Sequence, residues 1–245
     1  MIDKTKIINQ DNLYIYVDTD KTVRTKKKIS GHSFVGLVDF DKFKKRGDIV
    51  LSLLGIKKDE VDPKYAYRGE LAEMVVRAIY ERKLKKQIVW YDEEAKKKNN
   101  YDFFPTYLQC GGIPDIEIPS EQTLIEVKSK SMKDYEYIKE HGAPASELYQ
   151  ALYYGFLRKY KKITMFYVFF DVESEQLAFE NKPIKTYNNL KFLTQTYDVK
   201  EEEIDFLVKS ALNYYNDCVR NKRIPISDLS KTVLNEIGVD YSNAL

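Results

Sequence analysis

The sequence has only two cysteines, Cys110 and Cys218, and no long run of apolar residues. Two thiols are too few for a disulfide-stabilised scaffold or for the four cysteine ligands of a zinc or iron–sulfur site. No segment approaches the roughly 18 consecutive apolar residues of a membrane-spanning helix, and the opening residues contain no apolar stretch like that of a secretory signal. We therefore expect a soluble, cytoplasmic protein without an iron–sulfur cluster.

A net charge of one sign is also missing, because 40 basic residues are offset by 38 acidic ones and the formal net charge is +2. A protein that binds nucleic acid over much of its surface usually has a clear basic excess. Only local clusters of basic residues could supply such a surface here. The simplest interpretation of most of these clusters is a solvated face or a helix end. Lysines and arginines gather in residues 24–28, 42–46, 82–86, 96–98, 158–162 and 220–223.

Apolar periodicity and capping signals predict the helices. Asp62 followed by Pro63 is a typical helix start, with an N-cap carboxylate and a proline in the first turn, and apolar residues recur at helical spacing to about Arg82. Ser146 is predicted to cap a helix that runs to about Tyr160. Further helices are predicted at 30–41, 44–54 (ended by Gly55), 201–220 and 227–237 (ended by Gly238).

Apolar and alternating runs predict the strands. The predicted strands are an N-terminal hairpin of 13–17 and 22–25, then 87–91, 104–110, 112–118, 123–129 and 163–170, with a polar loop at 93–102. The order of elements indicates an α/β fold in which a central mixed β-sheet is flanked by helices. We expect a single domain over residues 1–245, with 1–27 as a hairpin appendage and 171–245 adding a C-terminal strand and helices.

Residues 111–130 contain the most informative pattern. In a strand over 123–129, Glu126 and Lys128 lie on one face while Ile125 and Val127 lie on the other. Asp115 lies on the preceding strand, and antiparallel pairing would bring it close to Glu126. Two facing carboxylates repel unless a cation neutralises them, and Mg²⁺ takes such oxygen ligands while keeping sites for water and phosphate. A nearby lysine could orient water, so the set suits phosphodiester hydrolysis. The alternative is a salt-bridged surface face.

The helix that begins at Asp62 offers further candidates. Gly69 is unfavourable inside a helix, which suggests a close approach by backbone or ligand. Glu73 lies on the same helical face four residues later, and Glu70 lies near that face. Either carboxylate could be an additional metal ligand, or it could be an exposed charge that pairs with Arg77.

The helix at 146–160 carries Gln150 and Tyr154 four residues apart, so both project from one face. These side chains could contact a phosphate or order a water molecule. The alternative is that they are ordinary parts of an amphipathic helix.

These motifs occur together in one known family. The sequence resembles the lambda exonuclease-like viral recombinase nucleases of the PD-(D/E)xK superfamily, over roughly residues 28–170. The matching segments are Lys-Ile-Ser-Gly-His-Ser (28–33), Tyr-Arg-Gly-Glu-Leu-Ala-Glu (67–73), Gly-Ile-Pro-Asp (112–115), Ile-Glu-Val-Lys (125–128) and Gln-Ala-Leu-Tyr-Tyr (150–154). The resemblance implies a restriction endonuclease-like catalytic core over 28–170.

The resemblance also implies a role for each matching residue. Lys128 becomes the catalytic lysine, and Glu73 becomes the preferred helix carboxylate over Glu70. The implied metal ligands are Glu73, Asp115, Glu126 and the main-chain carbonyl of Val127. The implied substrate contacts are Gln150, Tyr154, Ser30 and Arg68.

The function implied is a Mg²⁺-dependent deoxyribonuclease, with Mn²⁺ as a substitute, that degrades linear double-stranded DNA from its ends in phage-type recombination. A homo-oligomer and a single-strand annealing protein as partner are also implied. The first alternative is a sequence- or structure-specific endonuclease of the restriction type. A second is a non-cleaving DNA-binding protein on a nuclease scaffold, and a third is a structural α/β domain in which these charges are surface pairs.

Overall fold

The structure is a computed structural model that describes residues 1–19, 28–58, 62–180 and 189–239. The strands are β1 (Ile7–Gln10), β2 (Tyr14–Val17), β3 (Ile116–Ile118), β4 (Thr123–Ser131), β5 (Lys162–Phe170), β6 (Lys191–Asp198) and β7 (Arg223–Pro225). The α-helices are α1 (Gly31–Leu37), α2 (Arg46–Leu53), α3 (Pro63–Ala78), α4 (Glu93–Lys98), α5 (Tyr135–His141), α6 (Ala145–Arg158), α7 (Val172–Phe179), α8 (Glu201–Arg220) and α9 (Lys231–Ile237).

The chain divides into two compact units. Unit 1 comprises Met1–Glu60, Pro105–Gly112 and Glu202–Leu245, and unit 2 comprises Val61–Phe104 and Ile113–Glu201. The single domain expected over 1–245 stays a prediction. No helix in the part of the chain that the structure describes is long and apolar enough to cross a membrane.

Unit 1 contains a three-stranded antiparallel sheet in the order β1-β2-β7. The predicted strand 13–17 is confirmed as β2. Within the described residues its hairpin partner is β1, which precedes it in the chain. The predicted strand 22–25 lies outside the described residues. Ile15, Val17 and Ile224 are fully buried, so alternate residues of β2 face the interior of this unit.

The helices predicted for unit 1 are confirmed: those at 30–41, 44–54 and 227–237 have shorter bounds, and the one at 201–220 has the bounds predicted. Ser30 caps α1 by accepting a hydrogen bond from the backbone N–H of Ser33, and the chain turns at Gly55 (φ 66°) soon after α2. The predicted helix 201–220 is α8. The last predicted helix begins later than residue 227, at α9, where Ser230 is the N-cap and Gly238 the left-handed C-cap.

Unit 2 contains a four-stranded sheet in the order β3-β4-β5-β6, in which β4 and β5 are parallel and the other pairs antiparallel. This is the central mixed sheet predicted from the sequence, and helices cover both faces. α3 packs on the face of β4 that carries Ile125 and Val127, where the two residues join its buried apolar cluster. α6 packs against β4 and β5 on the other side, and Gly155 lets it approach closely, because a Cβ atom there would lie 2.8 Å from Ile163.

Several predicted elements are wrong in detail. Residues 87–91 contribute only a bridge between Val89 and Glu117, and 104–110 form no strand. The strand predicted at 112–118 is reduced to β3. The predicted loop 93–102 contains α4, because Asp92 caps a short helix whose first turn is acidic and whose last turn is basic. Helix α6 begins at Ala145, so Ser146 lies inside it and Pro144 occupies the N-cap position.

Candidate active site

The hairpin formed by β3 and β4 brings two of the predicted residues together. Its turn contains Pro119–Glu121 and Gln122, which adopts a left-handed conformation (φ 47°). The register pairs Ile116 with Ile125, so the residue before β3, Asp115, comes level with Glu126. Asp115 Oδ2 accepts a hydrogen bond of 2.8 Å from the backbone N–H of Val127. The predicted juxtaposition of Asp115 with the Glu126 strand is therefore present.

Glu126, Lys128 and Gln150 form a compact hydrogen-bonded group. Lys128 Nζ lies 2.8 Å from Glu126 Oε1, and Gln150 Nε2 donates to the same oxygen at 2.9 Å. Gln150 Oε1 in turn accepts from Lys128 Nζ at 3.3 Å. Strand alternation places Glu126 and Lys128 on one face of β4, and α6 supplies Gln150 from that side. The group is therefore held by two separate elements.

The Glu126 and Asp115 carboxyl groups are difficult to ionise. Burial raises the pKa of Glu126 to about 7, and the neighbouring Asp115 adds to this shift. Loss of hydration raises the pKa of Asp115 to about 7 as well, with a contribution from Glu73. Burial lowers the pKa of Lys128, but the Glu126 and Asp115 carboxylates outweigh burial and hold this pKa above its usual value. Lys128 is therefore a firmly protonated cation beside the Glu126 carboxyl group.

The two oxygens of Glu126 have different surroundings. Glu126 is 2% exposed, and its Oε2 is a buried atom that has no hydrogen-bond partner among the residues that the structure describes. A buried carboxylate oxygen without a partner is unfavourable, and a divalent cation would satisfy it and neutralise the repulsion with Asp115. The chemistry of Asp115 and Glu126 therefore fits a hard cation such as Mg²⁺.

Glu73 is not gathered with this pair. Among the described residues, no group of three or more His, Cys, Asp or Glu side chains is close enough to hold a metal ion. Glu73 belongs to α3, which packs on the opposite face of β4 from the Glu126 side chain. Burial raises the pKa of Glu73, and Glu126 contributes to the shift, so the two carboxylates interact electrostatically. Arg77 donates to the main-chain carbonyl of Glu73 at 3.3 Å.

The other residues proposed on α3 have different surroundings. Glu70 is exposed. At Gly69, an added Cβ atom would meet nothing within 4 Å among the described residues beyond its own helix turns, so none of their backbone makes the close approach suggested by a glycine at this position. Arg68 is buried, forms a short ion pair with Glu175, and donates to Ser129 Oγ and to its carbonyl at 3.4 and 3.3 Å. The Arg68 guanidinium is therefore already bonded to protein groups in this structure.

Tyr154 and Ser30 have structural partners. Tyr154 is buried on α6 and stacks on Phe104, with ring centroids 5.4 Å apart. Ser30 lies in unit 1, where its hydroxyl caps α1. A role for either residue in contacting substrate stays a prediction.

Sequence reasoning did not identify a second ionic group beside Lys128. Lys130 forms a short ion pair with Glu147, and the Tyr167 hydroxyl donates to the other Glu147 oxygen at 3.1 Å. Tyr167 pairs with Lys128 in the register of β5 and β4, and Glu147 lies one helical turn before Gln150. This ionic contact helps to fix the turn of α6 from which Gln150 projects.

A buried network around Glu117 was also not identified. Arg158 binds both carboxylate oxygens of Glu117, at 2.7 and 2.8 Å, and the hydroxyls of Tyr91 and Tyr160 each donate to Glu117 at 3.0 Å. The signal in the sequence is a single carboxylate between Ile116 and Ile118 in a strand that is buried on both faces. The network ties β3, and with it Asp115, to the end of α6.

Lys96, which belongs to one of the lysine clusters expected to be solvated, is a further cation that acts on the site carboxylates. It lies on α4, and its charge lowers the pKa of both Glu73 and Asp115, opposing the effect of burial. Because residues 93–102 were predicted to form a loop, no side chain there could be assigned a position.

Known structures share this fold. An alkaline exonuclease from Laribacter hongkongensis (LHK-Exo) aligns with a TM-score of 0.52 at 13% identity, over 83% of this chain and 95% of that one. The same enzyme in complex with dAMP aligns with a TM-score of 0.54, over the same shares of the two chains. A phage-related exonuclease from Haemophilus somnus 129PT aligns with a TM-score of 0.53 at 16% identity, over 82% of this chain and 99% of that one. No protein-family model and no curated protein sequence matches the chain. At these identities the likeness establishes the fold, which this chain shares with alkaline and phage-related exonucleases.

Proposed function

We propose that this chain is a divalent-metal-dependent deoxyribonuclease that degrades linear double-stranded DNA from its ends. The observation that supports this most is the group of Asp115, Glu126 and Lys128, in which one buried Glu126 oxygen has no partner within the described parts of the chain. The shared fold adds support, because the aligned proteins are named as exonucleases and one was solved with dAMP. A deoxynucleoside monophosphate is a product that stepwise hydrolysis of DNA would release.

Asp115 and Glu126 would hold the metal ion, together with the main-chain carbonyl of Val127. Glu73 interacts electrostatically with both carboxylates and would become a further ligand by moving closer to the pair. Mg²⁺ is commonly bound through one or two carboxylates and retains several water molecules, so the Asp115 and Glu126 pair is sufficient to begin such a site. When bound, the ion would polarise a phosphoryl oxygen and lower the pKa of a bound water molecule. Mn²⁺ would substitute for it.

Lys128 would act as a fixed positive charge. Because its pKa is held above the usual value, the ammonium group stays protonated at neutral pH and donates hydrogen bonds. It would therefore orient the attacking water and offset the negative charge that develops on the phosphate, rather than remove a proton. Its distance of 2.8 Å from Glu126 keeps these two groups in a defined geometry.

Gln150 would position both groups. It donates to Glu126 and accepts from Lys128, so one side chain sets the orientation of the carboxylate and of the ammonium. Tyr154, Ser30 and Arg68 are proposed to contact the DNA. Arg68 would have to exchange its partner Glu175 for a phosphate to do so.

The biological setting belongs to the same proposal. A phage-type recombination role, a homo-oligomeric assembly and a single-strand annealing partner are proposed on the resemblance of the sequence motifs alone. The aligned phage-related exonuclease adds support only for a phage origin of the fold.

The dependence on DNA ends is tested with one plasmid in three forms: linear, nicked and covalently closed. We expect Mg²⁺ to support loss of the linear duplex while the closed circle stays intact, and EDTA to abolish the reaction. Discrete fragments from the closed circle would instead identify an endonuclease. No change in any form, with either Mg²⁺ or Mn²⁺, would contradict the proposed function.

A further inference from the structure

Unit 1 contains a groove whose lining residues include none of those assigned to the active site. Of the assigned residues, only Ser30 belongs to the same unit. The groove has a volume of about 590 Å³, and two segments, residues 39–45 and 226–234, form its walls. We call it the lysine groove, since four of its lining residues are Lys42, Lys44, Lys45 and Lys231. Phe43 also lines it.

The walls of the lysine groove are fixed to each other. Arg46 binds Asp228 through two nitrogens, at 3.0 and 3.1 Å, and the Tyr214 hydroxyl donates to the same carboxylate at 2.8 Å. Asp48 accepts a hydrogen bond of 3.0 Å from the backbone N–H of Ser230. Gly47 permits this close packing, because a Cβ atom there would lie 2.6 Å from the carbonyl oxygen of Asp228. The groove is therefore a preformed feature of this unit.

The charge of the lysine groove is positive. Four lysines line it, against the carboxylates of Asp39, Asp41 and Asp228, and Asp228 is already neutralised by Arg46. Lys44 Nζ lies 3.1 Å from His32 Nε2, so this lysine is directed by a second polar group. Cations that two separate segments contribute to one groove suit a ligand that carries several negative charges, such as a nucleic-acid backbone.

Phe43 gives the groove an aromatic surface. Its side chain is 91% exposed, the largest such value among the exposed phenylalanines of the described residues. The turn that presents it is held by Asp41, whose Oδ1 accepts from the backbone N–H groups of Phe43 and Lys44 at 2.8 and 3.2 Å. Lysines that follow a backbone, combined with an aromatic ring that stacks on a base, are the means by which proteins bind single-stranded nucleic acid without reading its sequence.

We propose that the lysine groove is a binding site for single-stranded DNA, with the phosphates along the lysines and an unpaired base stacked on Phe43. The choice of DNA as the ligand rests on the proposed nuclease function, since digestion of one strand of a duplex leaves the other strand single. The groove itself is defined by its own residues. A duplex does not offer an unstacked base, so Phe43 favours the single strand.

The test measures fluorescence anisotropy of a labelled oligo(dT) of about a dozen nucleotides, a length that matches a site of this kind. EDTA is present throughout, so cleavage does not occur and binding is observed even if the chain is not a nuclease. The variants are Phe43→Ala and the double variant Lys42→Ala/Lys45→Ala. The matched control is Lys161→Ala/Lys162→Ala, which removes the same charge from exposed lysines of unit 2. Thermal melting verifies that all variants fold.

We expect Phe43→Ala to weaken binding of the single strand roughly 5- to 100-fold. The lysine double variant should weaken binding and reduce the slope of log K against log salt by about 1.4, while the control changes neither by as much. Equal affinities for wild type, groove variants and control would overturn the proposal, as would failure of the wild type to bind. An equal loss of blunt duplex binding in Phe43→Ala would overturn the single-strand assignment.

Discussion

Gln150 donates a hydrogen bond from Nε2 to Oε1 of Glu126 at 2.9 Å, and this oxygen is the one that also accepts from Lys128. The contact joins α6 to β4 across 24 residues of sequence. It fixes which carboxylate oxygen faces the ammonium group and leaves the other, Oε2, buried with no partner among the described residues. Oε1 is therefore held by protein groups, while Oε2 is the oxygen that a cation would bind.

We therefore predict that Gln150→Ala reduces both nuclease activity and Mg²⁺ affinity by roughly 10- to 100-fold, because residues that orient metal ligands have effects of this size. Initial rates on linear duplex DNA and titration calorimetry measure the two quantities. Gln176→Ala is the control, since Gln176 is an exposed glutamine on α7 whose side-chain amide donates to Glu180 at 3.1 Å. Unchanged activity and affinity in Gln150→Ala would show that the contact does not orient the site.

The raised carboxyl pKa values predict how stability depends on pH in the absence of metal. Asp115 and Glu126 have pKa values of about 7 in the folded chain, well above their ordinary range near 4. Between about pH 4 and pH 7, the folded protein retains protons that the unfolded chain has released. The free energy of unfolding therefore falls as the pH rises through this range. Glu126→Gln removes one of the two groups and should lessen this dependence.

Urea denaturation in EDTA measures this effect. The free energy of unfolding of the wild type, relative to Glu126→Gln, should fall by roughly 2 kcal/mol between pH 5 and pH 8. Added Mg²⁺ should restore more stability to the wild type at pH 8 than at pH 6, because protons compete with the cation for the carboxylates. A difference between the two proteins that is independent of pH would contradict the raised pKa of Glu126.

The network around Glu117 predicts a large effect on stability. Glu117→Ala leaves the Arg158 guanidinium without its carboxylate, and breaking a buried ion pair on one side costs about 3–5 kcal/mol. Glu117→Gln keeps the shape of the side chain and should cost less. The comparison is Asp205→Ala, which removes an exposed pair with Lys209 on α8 and should cost only about 0.3–0.5 kcal/mol. Equal urea midpoints for Glu117→Ala and Asp205→Ala would show that the network contributes little.

The parts of the fold that depend on local signals were predictable. The N-cap of Asp62 with Pro63, the helix 201–220 and the apolar strand near 163–170 all follow from residues that are close in sequence. Helix α4 was missed because it has no apolar stripe, although its acidic start and basic end are helix signals. Strand β6 is an edge strand of mostly exposed residues, so its apolar pattern is weak.

The same distinction applies to the site. The pairing of Asp115 with the Glu126 strand follows from a hairpin, which is a local structure, and it is present. The contacts of Glu117 with Arg158, and of Arg68 with Glu175, join residues that are 41 and 107 positions apart. Which residues become partners over such separations depends on tertiary packing. The Glu175 partner of Arg68 therefore could not be foreseen, and the substrate contact that the resemblance implies for Arg68 stays a prediction.

The central claim is that the Asp115, Glu126 and Lys128 group hydrolyses DNA, and Glu126→Gln tests it most directly. The substitution keeps the size of the side chain but removes its charge. The measurement is the initial rate at which linear duplex DNA is converted to acid-soluble nucleotides in Mg²⁺, with Glu121→Gln, an exposed residue, as the control. We predict that Glu126→Gln loses at least ~100-fold of the wild-type rate while it remains folded and the control stays active. A folded Glu126→Gln protein that degrades DNA at the wild-type rate would contradict the account.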